Sequence, residues 1–493
     1  MGNISFDAKW DERLESLGIT GNVSSISNRE SQTEFVPLSF SGNCNPYSAD
    51  NQLDITVNLK ALKLKNLNSF LPEESIALDG TARGTLTVRG KMSEPQIESR
   101  IFLERSSIYV HYLNTKYFFS DYINIKPNEI TLENFGLTDD EGHQGALNGK
   151  VSHKNFSKWK IDVLLGFVDP FLMLNTSNQT EEAFFGKAYG TGFLGISGDL
   201  NSLSYQAQIK TEKGTYLGLP MGSSTEDEYD NFITFKSKSD SVVTESKSDL
   251  SGLKMNLGID ITPDARFEII FDKSVGDVIS GTGRGHIDLG VDQFSNLSMT
   301  GGLDLTEGNY KFTLKNLINK DFIVTPGGRI DWSGDPLAGN LDITAVYKVP
   351  ASLYDLLNDP QYQGGQRVNV NLGLTLKGAM LNPIIDFDID LPTVDQMTKS
   401  RVDAVLSSDQ ERNRQAFALL MLRRFVSPPS VSADHSSTSA LSANGTELLS
   451  SQISNWLGQI SDDFNLGFNY NPGDTSVTRK LHLRSAHNFS MTD

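Results

Sequence analysis

The stretch VNLGLTLKGAMLNPIIDFDIDLP, residues 370–392, constrains the fold of this chain more than any other feature. Apolar residues occupy every second position from Val370 to Leu376, and after Pro383 the alternation resumes with aspartates between apolar neighbours. A strict period of two predicts β-strands with one apolar face and one polar face. The folded chain must therefore cover a long apolar surface.

The same alternation recurs along most of the chain. It is found in LDITVNLKA (53–61), LSYQAQI (203–209), LKMNLGIDI (253–261), LDLTEGNYKFTL (303–314) and LDITAVYKV (341–349). Turns rich in Gly and Asn separate these runs at short intervals, which is typical of an extensive meandering sheet. Asp, Asn, Thr and Lys hold one face of that sheet and suit it to water, whereas the other face is apolar.

The alternating runs are also partial repeats of one another. Residues 80–104 and 370–391 share the order apolar-Thr-apolar-basic-Gly-x-Met-x-x-Pro-x-Ile, and looser copies occupy 185–217 and 279–312. Each copy reads as strand, turn, strand, and such units stacked edge to edge form an elongated solenoid. Because the copies are irregularly spaced, we expect one long, twisted sheet with insertions in a mostly β protein.

Composition limits the class of function. The chain has 493 residues, a net charge of −18 and 38% hydrophobic residues, which is lean for large compact cores but sufficient for sheets that are apolar on one side. The acidic balance argues against a nucleic-acid partner, which a basic patch would attract. A single cysteine, Cys44, excludes an internal disulfide. No secretory signal opens the sequence, and the longest apolar helical run, residues 416–422, is too short to span a bilayer.

Several segments interrupt the alternation and set the expected boundaries. Two of them are helical, and Ser408 with Glu411 offers a capping box for one helix. The expected order is sheet (1–221), polar insertion (222–252), sheet (253–392), helices (393–425), Ser/Pro-rich linker (426–445), amphipathic helix with strand (446–473) and an atypical basic tail that we expect to be disordered (475–493).

No residue pattern in the chain indicates catalysis. The glycine-rich GTGRG (281–285) lacks the Lys-Ser/Thr ending and the following helix of a phosphate-binding loop. Asp386, Asp388 and Asp390 alternate along one strand, which predicts a solvated polar face. The seven histidines lack metal-ligand spacing. We therefore expect that the protein is not an enzyme and uses neither a metal nor a cofactor.

The apolar face allows two interpretations at this point. It is either the core between two packed sheets, as in most β-proteins, or the inside of a sheet curled into an open trough that holds acyl chains. An exposed apolar surface of this length would favour aggregation unless a lipid occupied it.

Segments in the second half of the chain resemble the conserved C-terminal domain of the TamB family of AsmA-like bridge proteins. The resemblance lies in GNYKFTLKNLINKDFIVTPGGRIDWSGDPLAGNLDITAVYKV (308–349), LTLKGAMLNPIIDFDIDLP (374–392), QAFALLMLRRF (415–425), TELLSSQISNWLGQISDDFNLGFNY (446–470), AFFGKAYGTGFLGISGD (183–199) and TEKGTYLGLPMGSSTEDEYDNFITF (211–235), the last of which is similar to the Bacteroidota branch. It covers residues 180–473 well and the first 180 residues by pattern only.

The resemblance implies a β-taco, which is a β-sheet groove with an apolar interior. It also implies a periplasmic protein of a Gram-negative bacterium, anchored in the inner membrane and involved in phospholipid transport to the outer membrane. A β-barrel partner of the TamA type in outer-membrane protein assembly is implied as well.

The chain departs from the family pattern at both ends. It starts without the family's N-terminal membrane helix and long preceding groove, so we expect a C-terminal piece. At the other end, TSVTRKLHLRSAHNFSMTD (475–493) loses the alternation where relatives continue with strands. A shifted reading frame can encode an alternating strand there, and our hypothesis is that this tail is a frameshift product.

Lipid transfer through the groove is the function that these features predict. The positions expected to line the groove are Leu253, Met255, Leu257, Ile259, Val370, Leu372, Leu374, Leu376, Ile385, Phe387 and Ile389. The positions expected on helices that cap the groove or present a surface to a barrel partner are Phe417, Leu420, Ile453, Trp456 and Leu457.

Two further classes of function stay open. A scaffold for barrel assembly would pair its open sheet edge with client strands. A polysaccharide-processing β-helix enzyme would need clustered carboxylates and aromatic residues on the outer face, which the sequence does not show.

Overall fold

A computed structural model of the chain describes residues 2–26, 34–71, 75–177, 184–200, 202–220, 254–272, 276–294, 296–314, 318–363 and 365–428. The polar insertion 222–252, most of the linker, the segment 446–473 and the tail 475–493 lie outside these residues. Predictions about those segments therefore stay predictions.

The described chain is built almost entirely of β-strands. The first half holds β1 (Gly2–Asp11), β2 (Ser16–Ile26), β3 (Glu34–Cys44), β4 (Leu53–Lys63), β5 (Ile76–Lys91), β6 (Glu94–Val110), β7 (Thr115–Lys126), β8 (Glu129–Thr138), β9 (Gln144–Lys154), β10 (Ser157–Thr176) and β11 (Phe185–Asp199). The second half holds β12 (Ser202–Thr211), β13 (Tyr216–Pro220), β14 (Lys254–Ile261), β15 (Arg266–Asp272), β16 (Asp277–Val291), β17 (Leu297–Leu314), β18 (Ile318–Val324), β19 (Arg329–Gly334), β20 (Asn340–Ala351), β21 (Val368–Ala379) and β22 (Ile384–Asp390).

Helices are few and concentrate after β20. The α-helices are α1 (Tyr354–Leu357), α2 (Gln396–Val405) and α3 (Asp409–Leu422), and the 3-10 helices are Leu64–Phe70, Pro336–Ala338 and Pro360–Tyr362. The expected helical region at 393–425 thus contains two helices, and Ser408 caps α3 by accepting a hydrogen bond from the backbone N–H of Glu411. The mostly β architecture with helices near the C-terminal end of the described chain is confirmed.

The chain forms two compact units. Unit 1 comprises residues 1–347 and 374–383, and unit 2 comprises residues 348–373 and 384–493. Unit 1 therefore holds the strands from β1 to most of β20, whereas β22, α2 and α3 belong to unit 2.

Unit 1 is largely a meander of antiparallel neighbours, but three of its strands each pair with two shorter strands along one side. Strand β11 pairs with β12 and β13, β16 with β14 and β15, and β17 with β18 and β19. Strand β14 pairs parallel to β12, and β15 pairs parallel to β13. Parallel neighbours need a long connection that returns the chain across the sheet, and residues 221–253 provide it. The sequence predicted a simple meander and not this crossover, because no residue pattern in the polar insertion indicates the direction of the strand that follows it.

The strand registers keep every alternating apolar run on the same face of unit 1. Directly facing residues project to the same side of a sheet. One such row runs across β8, β9, β10, β11, β12, β14, β16 and β17 through Phe135, Leu147, Leu165, Leu194, Ala207, Leu257, Leu289 and Met299. An equivalent row crosses β3 to β10 through Phe40, Val57, Leu86, Ser99, Ile125, Ile130, Val151 and Ile161.

Shifts in strand register align across neighbouring strands and form a crease. They lie between Leu59 and Leu62, Asp79 and Thr81, Leu103 and Ser106, Phe118 and Asn124, Leu132 and Phe135, and Phe167 and Phe171. A β-bulge bends its strand and increases the local twist. A line of bulges at one level therefore bends the whole sheet along that line, which simple alternation does not predict.

Outward-facing polar side chains satisfy the backbone groups that the bulges release. The backbone N–H of Arg105 donates to Ser120 Oγ at 2.9 Å, and that of Asn134 donates to Asn148 Oδ1 at 2.7 Å. Gly136 donates likewise to Asp121 Oδ2 at 3.1 Å. The crease is thus stabilised without the regular ladder hydrogen bonds.

Glycines on the apolar face make room for large neighbours and for the close approach of backbones. Gly192 faces Phe167 on one side and Ile209 on the other, and its φ is +137°. A Cβ there would lie 2.0 Å from the carbonyl oxygen of Gln208. Only glycine fits this position without moving backbone.

The Gly192→Ala substitution tests this requirement. We expect it to destabilise the protein by about 1–3 kcal/mol, because both the backbone conformation and the contact with the neighbouring strand are strained. Gly166 on the neighbouring strand is the matched control, since nothing lies within 4 Å of a Cβ added there. Urea unfolding measures both variants, and equal midpoints for the two would contradict the role assigned to Gly192.

Candidate functional site

The candidate site is the apolar face of unit 1, and its accessibility changes along the sheet. Val57, Leu86, Ile130 and Ile161 in the first half are only half-buried, as is Leu257 further on. From β17 onward the corresponding side chains are covered, as shown by Met299, Leu303, Ile330, Leu341 and Ile343, which are at most 6% exposed. The part from β3 to β16, in which many side chains are half-buried and others such as Ile101 and Ile287 are buried, is called the open face below.

Aromatic side chains fill one side of the open face beside the crease. Phe135, Phe167 and Phe171 are buried, and the Phe167 and Phe171 rings stack with centroids 5.6 Å apart. Tyr117 stacks on Phe171 at 5.2 Å, although β7 and β10 are separated in the sheet by β8 and β9. The sheet is thus closed at this edge by protein, and the accessible strip lies on the other side of the crease.

Asp139 stabilises this closed edge. Its buried carboxylate accepts hydrogen bonds from the backbone N–H groups of Leu172 at 2.8 Å, Glu141 at 2.9 Å and His143 at 2.9 Å, and it contacts His143 Nδ1 at 2.9 Å. Burial alone would raise the pKa of Asp139, but the hydrogen bond from Leu172 and those from His143 and Glu141 outweigh it and lower the pKa. Sequence reasoning missed this residue, because an Asp in an Asp-Asp-Glu-Gly stretch indicates only a turn.

A second polar cluster, formed by Glu141, Lys187 and Tyr189, lies beside Asp139. Glu141 accepts hydrogen bonds from Lys187 Nζ at 2.5 Å and from the Tyr189 hydroxyl at 2.7 Å. The hydrogen bond from Lys187 is the main cause of the lowered pKa of Glu141. These two hydrogen bonds connect the β8–β9 turn to β11.

The predicted lining residues divide into two groups in the structure. Met255, Leu257 and Ile259 lie on β14, share the apolar face and are half-buried, so they belong to the open face. Leu253 lies outside the described residues. The remaining predicted residues are covered by protein: Val370, Leu372, Leu374, Leu376, Ile385, Phe387 and Ile389 are at most 6% exposed.

In unit 2, helix α3 covers the apolar face of β22. The rings of Phe387 and Phe417 meet edge to face with centroids 5.6 Å apart, and Phe417 and Leu420 are buried. These side chains therefore pack within unit 2, and their predicted roles as a groove cap or a partner surface stay predictions. Ile453, Trp456 and Leu457 lie outside the described residues.

A buried polar network holds the segment that follows α3. The Gln415 side chain donates to the carbonyl oxygen of Val426 at 2.6 Å and accepts from its N–H at 2.9 Å. Arg414 donates to the carbonyl oxygen of Ser427 at 2.7 Å and forms an ion pair with Glu411 at 2.9 Å. Residues 426–428, predicted as the start of a linker, therefore pack in the core of unit 2, where Val426 is 1% exposed.

Half-exposed apolar positions on β3 to β10 are the part of the site that sequence reasoning left out. Ile55 and Val57 belong to an alternating run that the sequence displays, but no pattern in the run distinguishes a half-buried face from a covered one. Within the described ranges, no group of three or more His, Cys, Asp or Glu side chains is arranged to hold a metal ion. No helix in the same ranges is long and apolar enough to cross a bilayer.

The long twisted sheet with one continuous apolar face defines the class of protein: a β-groove protein of the β-taco type. The chain matches the TamB C-terminal domain family over residues 133–484, which is more than half of its length. It therefore belongs to the TamB family, whose members are envelope proteins of Gram-negative bacteria. No curated protein matches the chain.

The extent of the match bears on the sequence predictions. It begins at residue 133, earlier than the segments in which the resemblance was clear, and it reaches ten residues into the tail 475–493. The family assignment is confirmed. The frameshift hypothesis for the tail stays a prediction.

The Asp139→Asn variant tests whether the carboxylate of Asp139 stabilises the closed edge. Because the native pKa of Asp139 lies below its ordinary value of 3.8, the ionised carboxylate stabilises the fold above that pH, and this contribution is lost as the pH falls through the native pKa. At pH 7 we expect the variant to be less stable by about 1–3 kcal/mol. Its stability should also fall less steeply on acidification below pH 3.8.

Urea unfolding at a series of pH values measures this, with Asp140→Asn as the control at the exposed neighbouring position. Parallel pH profiles for Asp139→Asn and the unsubstituted protein would contradict the assignment.

The Phe417→Ala variant tests the packing of α3 on β22 within unit 2. Removing a buried aromatic side chain leaves a cavity, so unit 2 should lose about 3–5 kcal/mol of stability. Met397→Ala on α2 is the control, because Met397 is 77% exposed. Limited proteolysis of residues 384–428 reads out the effect, and unchanged protection of this segment in Phe417→Ala would show that the contact with Phe387 is dispensable.

Proposed function

We propose that this protein transfers phospholipids along the open face, as part of a bridge across the periplasm between the inner and outer membranes. The observation that supports the proposal most is the continuous apolar face from β3 to β16, whose registers place the half-buried Val57, Leu86, Ile130, Ile161 and Leu257 on one side. A complete core does not ordinarily leave apolar side chains partly accessible over this length, as the described residues do here. Acyl chains are the guests that match its chemistry.

The energetics of such a guest are sufficient. Burying an acyl chain contributes about 0.8 kcal/mol per methylene, and therefore on the order of 10 kcal/mol per chain. At about 4.8 Å between strands, β3 to β16 form a strip on the order of 50 Å long. A lipid could thus be held outside a bilayer along a substantial distance.

The similarity of neighbouring strands supports movement along the strip. Each strand offers aliphatic side chains at the same level, as in the row Leu165, Leu194, Ala207 and Leu257. A chain that slides from one strand to the next therefore exchanges one set of dispersion contacts for a similar set. The polar head group would remain in water, so no catalytic chemistry is assigned to the protein.

The difference in burial divides the roles of the predicted lining residues. Met255, Leu257 and Ile259 are assigned to lipid contact, because they lie on the open face. Phe387 is assigned to the core of unit 2, because Phe417 covers it.

Assembly of outer-membrane β-barrel proteins with a TamA-type partner is the alternative from the family resemblance. It would rely on main-chain pairing at a sheet edge and would need no lipid on the open face. The experiment below separates the two functions.

Photo-crosslinking residues at Val57 and Leu257, each introduced singly in protein expressed in a Gram-negative periplasm, test lipid transfer. Phospholipid adducts should form at both positions, since both side chains face the open strip. The matched controls are the exposed neighbours Asn58 and Asn256, which alternate to the polar face and should give no lipid adduct.

Intact-protein mass spectrometry identifies the adducts. A folded protein without lipid adducts at Val57 and Leu257 would overturn the proposal. Adducts with barrel proteins at the sheet edge would then favour the assembly function.

A further inference from the structure

The hairpin turns on one long edge of unit 1 carry exposed apolar residues at their tips. Antiparallel pairing places the turns β1–β2, β3–β4, β5–β6, β7–β8, β9–β10, β11–β12, β16–β17 and β19–β20 on the same edge. The turn that follows β21 lies beside them, since the N–H of Met380 donates to the carbonyl oxygen of Gly339 at 2.7 Å. Six of the tip residues are between 43% and 74% exposed: Tyr47, Met92, Phe156, Leu200, Phe294 and Leu381. These six residues are called the apolar rim.

The apolar rim is continuous with the open face and not a set of isolated exposures. The half-buried residues next to this edge, such as Val88, Ile97 and Ile196, lie on the apolar face of the strands that the turns connect. The opposite side of the open face is closed by Phe171 and its aromatic neighbours. Among the described residues, a guest on the open face therefore meets the apolar rim on this side and the aromatic cluster on the other.

Contacts between neighbouring tips support the continuity. Trp10 packs edge to face against Tyr47 with centroids 6.2 Å apart, so the first two tips touch. Phe156 stacks on His153 at 4.8 Å, and the backbone N–H of Leu200 donates to the carbonyl oxygen of Trp159, which joins the β9–β10 and β11–β12 tips. Trp and Tyr are favoured where one part of a side chain meets an apolar phase and another part meets water.

The charges around Phe156 fit the head of a phospholipid. Lys154 and Lys158 flank this tip, both are exposed, and neither forms an ion pair with a described residue. An apolar tip between two ammonium groups complements an acyl chain joined to a phosphate. The carboxylate of Glu94 also reaches this tip, where it accepts a hydrogen bond from Asn155 Nδ2 at 3.3 Å.

We infer that the apolar rim is the lateral entrance of the groove, across which phospholipids pass with their acyl chains on the tips and their phosphates beside Lys154 and Lys158. This inference rests on the proposed function and adds the route by which lipid reaches the open face. Lipids then need not travel in from an end of the groove. Spacing of the tips by two strands, about 10 Å, lets one lipid touch two tips at once.

Photo-crosslinking at Phe156 and Leu200, in the full chain purified from a Gram-negative periplasm, tests the entrance. Phospholipid adducts are expected at both, and none at Asp162, which is exposed on the outer face of β10 close to the same edge. Adducts at Val57 in the same preparation report separately on the proposed function. Adducts at Val57 without any at Phe156 and Leu200 would overturn the entrance and leave lipid transfer standing.

A set of substitutions provides a second measurement that does not depend on unfolding. The triple variant Phe156→Ser, Leu200→Ser, Phe294→Ser removes exposed side chains only, and it should lower the lipid adduct yield at Val57 about five-fold if entry across the rim is required. The matched control is Leu164→Ser, Phe193→Ser, Ile323→Ser, which removes apolar residues that are 42% to 55% exposed from strands β10, β11 and β18.

The Lys154→Glu, Lys158→Glu variant tests the head-group part of the inference. It should lower adducts at Phe156 while the fold, followed by circular dichroism, is unchanged. Equal yields in the rim triple variant and the control triple variant would contradict lateral entry, as would Phe156 adducts consisting of a second copy of this chain or of another protein.

Discussion

Strand register is the constraint on which the rest of this structure depends. Side chains alternate with a period of two, so a slip of one residue in any pair would turn the apolar set of that strand to the opposite face. From β1 to β20 the pairings avoid this, even where bulges such as those at Leu103 and Phe135 insert residues. The continuous apolar face is therefore a property of many pairings together and not of any single strand.

The bulges and glycines convert a flat apolar face into a groove. Aligned register shifts bend the strands at one level, and positions such as Gly192 remove the side chains that would obstruct the close approach of neighbouring backbones. Polar side chains on the outer face, such as Asn148 and Ser120, replace the hydrogen bonds that the bend releases. Curvature and hydrogen-bond satisfaction are thus provided by opposite faces of the same strands.

The alternation was sufficient to predict the strands and the one-sided face, because both depend on local residue order. The family was identified from the resemblance of particular segments, such as residues 308–349, and not from the alternation. Burial depth could not be predicted in the same way. Leu257 and Phe387 both stand in alternating runs, yet the first is half-buried and the second lies under Phe417 of a helix about thirty residues away. The crease and the parallel β12–β14 pair could not be predicted from the sequence either. The crease depends on contacts between strands, and the parallel pair depends on the direction of a crossover that no residue pattern indicates.

The difference in burial explains how one sheet can serve two purposes. Where the apolar face is fully covered, as at Ile330, Ile343 and Leu372, its burial stabilises the fold as in any β-protein. Where the described residues leave it half-buried, covering the same side chains with an apolar guest would contribute further free energy. Under the proposed function, the sheet therefore combines a covered core with a face that a lipid completes. That face is adjacent to an edge whose turns end in aromatic and aliphatic side chains, so the surface proposed to hold lipid lies next to the proposed entrance.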